Sequence, residues 1–214
     1  MGSQVIIDII GSFIIFGWLM LMSLRMNVAN SENMQTYRGE LLVQQNLVEV
    51  TKLLEYDFRK IGFCLEPNRL PDPTKSILLA DSNRITFLTD VDLTGAGPDG
   101  NLDSISYYLG PTSELAETTN PRDRLLYRVV NSQAARGSNL GVTYFNLKYF
   151  DSQGNGLALP ITGINLQRIQ TIQISITVEN VVAAELVETA PLNQQYASAF
   201  WQQMRLSSRN YRNR

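Results

Sequence analysis

Four carboxylates crowd one short stretch, Asp90-Val-Asp-Leu-Thr-Gly-Ala-Gly-Pro-Asp-Gly-Asn-Leu-Asp103. Hard cations such as calcium take six to eight oxygens from carboxylates, carbonyls and water, so Asp90, Asp92, Asp99 and Asp103 are the candidate ligands of a calcium loop. Asp90, Asp92, Thr94 and Gly95 match the opening of an EF-hand loop, but Asn101 stands where the closing glutamate belongs and no helical pattern flanks it. The plainer reading is a solvated turn whose Asp and Gly residues serve backbone geometry. Paired carboxylates also carry glycosidic chemistry, but nothing else in the chain supports it.

Other chemistries find few residues to work with. The chain has no histidine, which removes the commonest general acid–base and a common zinc ligand. Cys64 is the sole cysteine, so no internal disulfide and no thiolate metal site can form, and its neighbours Phe63 and Leu65 predict a small buried apolar role. There is no phosphate-binding glycine loop and no nucleophile elbow. The 18 basic and 20 acidic residues leave a net charge of -2, without the basic excess of a nucleic-acid binder. The expectation is a protein that is not an enzyme, needs no cofactor, and takes neither nucleic acid nor a small-molecule substrate, with calcium as the single candidate ion.

The elements that carry these residues are legible in outline. From Met1 to Leu24 the only charged side chain is Asp8, and Val5 to Leu24 supplies the roughly 20 apolar residues that cross a bilayer. Trp18 lies near one end and Arg25 closes the run. A cleaved signal would start basic, run shorter and end in small residues, whereas nothing basic precedes this run and Arg25-Met26-Asn27 is a poor cleavage site. The segment therefore reads as an anchor. Asp8 has two readings: an interfacial carboxylate favoured by the helix dipole, or an assembly contact with the amino terminus of a neighbouring subunit. Arg25 and Arg38 lie on the C-terminal side of the span, which by charge alone favours a cytoplasmic domain, although long domains translocate largely regardless of charge.

No proline interrupts Met26 to Gly62. Val43, Leu47, Val50, Leu54, Phe58 and Ile61 recur at helical spacing, opposite Gln44, Gln45, Glu49, Lys52, Glu55 and Arg59. Gly39 marks a candidate bend, Gly62 a C-terminal cap, and Pro67 follows. After Pro73 the pattern alternates. Strands are predicted over 85–89, 104–109, 124–130, 142–150 and 169–178, with a turn at 151–156 joining strand to strand. Val181 to Val187 is ambiguous by period, and Met204 to Arg209 is placed to close the sheet. Tyr196, Phe200 and Trp201 read as core or edge packing. Arg205, Arg209, Arg212 and Arg214 suit either an acidic partner or a frayed end. The fold class is α+β, a long N-terminal helix packed on a mainly antiparallel β-sheet. The expected divisions are 1–25 for the apolar half of the helix, 26–62 for the amphipathic half, and 63–214 for the β-rich domain.

Taken in order, these strings resemble the type IV pilin-like family, in particular its larger minor pilins and the minor pseudopilins of type II secretion. The similar strings are Leu54-Glu-Tyr-Asp-Phe-Arg-Lys-Ile-Gly-Phe63, Asn83 to Asp92 followed by Asp103 to Leu109, Leu125-Leu-Tyr-Arg128, Val142 to Gly154, and Met204 to Asn210. The N-terminus departs from the family. Its processing site is glycine followed by Phe-Thr-Leu-Ile-Glu after a short basic leader, whereas this chain has Gly2-Ser-Gln-Val-Ile-Ile-Asp8, with Ile7 where the glutamate belongs. The resemblance implies a structural subunit whose apolar helix joins those of other pilin-like subunits in a pilus-like or secretion filament or its tip. It also implies a single-pass inner-membrane protein with its C-terminal domain outside the cytoplasm. The rival expectation is a membrane-tethered extracytoplasmic binding or sensory domain that does not polymerise.

Overall fold

The computed structural model describes residues 2–93, 95–118, 120–179, 200–208 and 210. The chain divides into two compact units, Met1–Leu41 and Leu42–Arg214. One helix, α1 (Gly2–Arg59), contributes to both. The boundary between the units falls inside the predicted amphipathic half.

The first unit is helical. With neither proline nor a partner in its own unit, it presents its apolar side chains outward: Phe13 is 72% and Trp18 77% exposed. Its apolar stretch runs over Ile6–Ser31, 26 residues of mean hydropathy 2.1 and none buried. At the helical rise per residue this spans about 39 Å, enough for a tilted crossing. The stretch continues past Arg25.

The second unit is a helix on a sheet. Seven strands follow one another: β1 (Ile77–Ala80), β2 (Arg84–Thr89), β3 (Asp103–Leu109), β4 (Arg124–Val130), β5 (Arg136–Phe150), β6 (Thr171–Val178) and β7 (Phe200–Leu206). They lie in that same order in the sheet and every neighbouring pair is antiparallel. The expected α+β class is therefore the one observed. Alternation explains the sheet's inner face. Ile85, Phe87, Ile105, Tyr107, Leu147, Ile174 and Ile176 are fully buried while residues between them are not. The predicted helical stripe supplies the other half of the core. Val43, Val50, Leu54, Phe58 and Ile61 are buried and Leu47 packs against them. Phe58 meets the edge of Phe87 at 5.5 Å and tilts on Tyr107 at 5.8 Å. Both are favourable offset geometries for aromatic rings.

The helix ends where expected. Gly62 takes φ +72°, and a Cβ there would meet Ser76 and Pro73 at 3.1 and 3.2 Å. Only glycine fits this position without strain. Its N–H donates to Leu88 O at 2.9 Å. Past β7 the chain returns to this end, where Ser208 Oγ and Asn210 Nδ2 both donate to Ile61 O.

Several expectations change in detail. β1 is a short strand without a clear alternating signal. β5 begins at Arg136, six residues before the predicted start, because it pairs first with β4. The turn at 151–156 does not lead straight into the next strand. It folds back so that Gly156 bridges Phe150, and the chain then bridges Ile161 to Ala80 on β1 before forming β6. Arg205 is no frayed tail: it lies in β7, donates to Gln173 Oε1 at 2.9 Å and covers the Phe150 ring. Cys64 is half-buried and donates to Gly100 O at 3.3 Å, so it is more than a small apolar filler. Residues 181–187, Thr94, Tyr196, Arg209, Arg212, Arg214 and the side chains of Phe200 and Trp201 lie outside the described residues.

Candidate functional site

The acidic loop between β2 and β3 is organised by backbone bonding. Asp90 is fully buried, and its carboxylate accepts N–H groups from Leu65, Asp99 and Gly100 at 3.0, 3.1 and 2.9 Å. One side chain thus ties the segment after α1 to the far part of the loop. Asp103 does similar work at the start of β3, accepting from Val91 N at 3.0 Å and from Asn131 Nδ2 at 2.6 Å. Asn131 itself sits at φ +53° and accepts from Ser104 N, so the β4–β5 turn is fastened to β3. Asp92 and Asp99 close small turns onto Gly95 N and Asn101 N. The hydrogen bonds from Asn101 hold the Asp99 carboxyl below its ordinary range. The four predicted ligands therefore share a loop but serve different backbone groups. Among the described residues no group of three or more acidic or thiol side chains is gathered as an ion site.

Asp8, the predicted assembly residue, lies on the exposed surface of α1 in the first unit, where its carbonyl accepts Ser12 Oγ at 2.8 Å. Nothing in its own unit engages its carboxylate among the described residues. The segment offers an exposed apolar surface with a single carboxylate near its start.

Two buried ionic groups were not singled out from the sequence. Asp57, on the stripe's flank, is buried and accepts Tyr107 Oη at 2.5 Å and Arg128 Nε at 2.6 Å. Arg128 Nη2 reaches its other oxygen at 3.4 Å. The result is a forked pair between α1 and β4. Burial and then the Asp57 charge push the Tyr107 phenol well above its usual range. The sequence signal was Asp57 beside Phe58, a charge on the edge of an apolar stripe.

The second group joins the entrance of β4 to the exit of β6. Glu179 accepts Asn120 Nδ2 and Arg122 Nη2, both at 3.0 Å. Asp123, 1% exposed, has neither carboxylate oxygen within hydrogen-bond geometry of a partner among the described residues, and the nearby Thr118 hydroxyl and Arg122 offset its burial only in part. Burial, followed by the Glu179 charge, raises its carboxyl to about 6. This is an electrostatic weak point: two buried carboxylates lie close together, and Asn120 and Arg122 both bond to Glu179.

No protein-family model matches the chain, and no curated protein matches it. Among solved structures it is similar to the type IV-like pilin TTHA1219 from Thermus thermophilus. That match has 9% sequence identity, covers 78% of this chain and 96% of that one, and has a TM-score of 0.44.

Proposed function

We propose that this chain is a structural, non-catalytic subunit of the minor pilin or pseudopilin kind. It is held in the inner membrane by its N-terminal helix, with its sheet domain outside the cytoplasm, and it assembles through that helix into a pilus-like or secretion filament or its tip. One observation carries the reading: the stretch Ile6–Ser31 is apolar and helical, and none of it is buried. Such a surface needs lipid or other apolar helices around it, and the same residues suit both in turn. The order of a stripe-bearing helix, a glycine cap and an antiparallel sheet supports the same reading. Asp8 is the assembly residue in this account, engaging the amino terminus of the next subunit.

A tethered domain that never polymerises shares the anchor, so the test must read helix–helix contact. Gly17 has no atom near the position of an added Cβ, so Gly17→Cys leaves the helix intact. In a Cys64→Ala background, oxidation of membranes holding the full chain is expected to cross-link copies through residue 17. Adding Asp8→Ala is expected to leave the protein in the membrane fraction and reduce cross-linking at least about tenfold, the scale of one lost charge contact of about 1.4 kcal/mol. Membrane-bound protein that never cross-links would favour the tethered domain. Undiminished cross-linking in the Asp8→Ala protein would remove Asp8 from assembly.

A further inference from the structure

The three strands β5, β6 and β7 carry no acidic residue, although the whole chain holds 20 acids against 18 bases. Phe145, Leu147, Tyr149, Ile172, Ile174 and Ile176 point inward from them and belong to the core. Alternation sends the residues between these to the opposite face of the sheet. On that face the register sets Tyr144 beside Thr177, Asn146 beside Ser175 and Gln203, and Lys148 beside Gln173 and Arg205. The array is one of amides, hydroxyls and two cations. Tyr144 is 48% exposed, and Lys148, Gln203 and Arg205 are exposed as well.

Among the described residues neither Lys148 nor Arg205 forms an ion pair. Arg205 donates from Nε to Gln173 Oε1 and lies over the Phe150 ring, which fixes where its guanidinium stands. The acids that directly follow β5 and β6 are committed elsewhere. Asp151 accepts the N–H groups of Gln153 and Asn155 and pairs with Arg168. Glu179 is buried against Asn120 and Arg122. With Gln173 between them, the backbones of Lys148 and Arg205 stand two strand spacings apart, about 10 Å. Tyr144 lies about 14 Å from Lys148 along the same strand. These separations suit anionic groups repeated along one chain better than a single small ion.

We propose that this sheet face binds an anionic polysaccharide of the polyuronate class, with carboxylates on Lys148 and Arg205, a sugar ring against Tyr144, and hydroxyls on Asn146, Ser175 and Gln203. The mix of groups selects the occupant. A lipid surface is held by clusters of roughly 4–8 basic residues, and nucleic acid by a basic patch that tracks many phosphates. A protein partner is held by a core of aromatic and aliphatic anchors. This face offers two cations, one exposed aromatic ring, and amides and hydroxyls between them. A polyuronate carries one carboxylate and several hydroxyls on every sugar, which is the same mixture in complement. The guanidinium fork suits a planar carboxylate. The inference needs only the sheet domain, so it holds whether or not the chain polymerises.

The test is calorimetric titration of the full chain in detergent, at low salt, with tetragalacturonate, maltotetraose, a tetraglutamate peptide and a tetrathymidylate strand. Tetragalacturonate is expected to bind with a Kd of about 1 mM or tighter, weakening as salt is added. The other three should bind at least about tenfold more weakly. Lys148→Gln and Tyr144→Ala should each weaken tetragalacturonate binding at least about fivefold. Both side chains are exposed and outside the core, so Tm should stay within about 2 °C of the parent. Absence of tetragalacturonate binding, or binding that either variant leaves intact, overturns the site. Maltotetraose binding as tightly would remove the cations from recognition and overturn the polyuronate assignment. The peptide or the nucleotide strand binding as tightly would make this a general acidic-polymer surface and overturn it too.

Discussion

Two buried carboxylates in the sheet domain act in opposite directions. Asp57 is satisfied by Tyr107 and Arg128, so removing it strands a phenol and a guanidinium at the helix–sheet contact. The Arg128 side chain is 28% exposed and recovers some hydration. Asp57→Ala should therefore cost about 2–3 kcal/mol rather than the larger loss of a fully buried pair, read as a lower denaturant midpoint. Asp123 is unsatisfied, and its folded-state pKa of about 6 lies above the unfolded value of 3.8. Between these values the folded state holds a proton that the unfolded chain has released. Stability therefore falls as pH rises from about 4 to about 6 and levels off above, by up to roughly 3 kcal/mol. Asp123→Asn removes the charge but keeps a polar group with no partner. The expected outcome is a gain of about 1–2 kcal/mol at pH 8 and no gain at pH 4, from denaturation curves at the two pH values.

At the scale of elements, the loop between β2 and β3 is a joint. Asp90 ties the segment after α1, through Leu65 N, to the far part of the loop, through Asp99 N and Gly100 N, whereas Asp92 closes an exposed turn onto Gly95 N. Asp90→Ala should cost about 3 kcal/mol and Asp92→Ala less than about 0.5 kcal/mol, compared by thermal unfolding. Calcium titration measures what this loop offers a cation. Asp90 and Asp103 are already committed to N–H donors. Millimolar calcium is therefore expected to move Tm by less than about 1 °C, since a ligand stabilises only by binding the folded state.

At the scale of the whole molecule, the two units place different demands on their surroundings. The unit Leu42–Arg214 has its own core, built from the α1 stripe and the sheet. The unit Met1–Leu41 exposes its apolar surface. Deleting residues 1–41 should therefore move the protein from the membrane fraction to the soluble fraction with a Tm within a few degrees of the full chain. A shortened chain that stays unfolded would show that the sheet domain depends on the first unit.

Local pattern sufficed for much of this molecule. The apolar run, the stripe from Val43 to Ile61, the Gly62 cap and β2, β3, β4 and β6 were legible because each follows from periodicity or from one residue's φ. The acidic residues were legible as a group but not in their roles. Which N–H an aspartate serves depends on segments far away in sequence, as when Asp90 meets Leu65 and Asp103 meets Asn131. The Asp57–Arg128 pair, the isolation of Asp123, and the alignment of Lys148 with Arg205 all depend on register across strands. So did the early start of β5 and the detour through Ile161. The sequence by itself determined which faces are apolar and where the helix stops, since these need only near neighbours. Only the tertiary structure decided which charges are answered, because that is settled by where the chain folds back on itself.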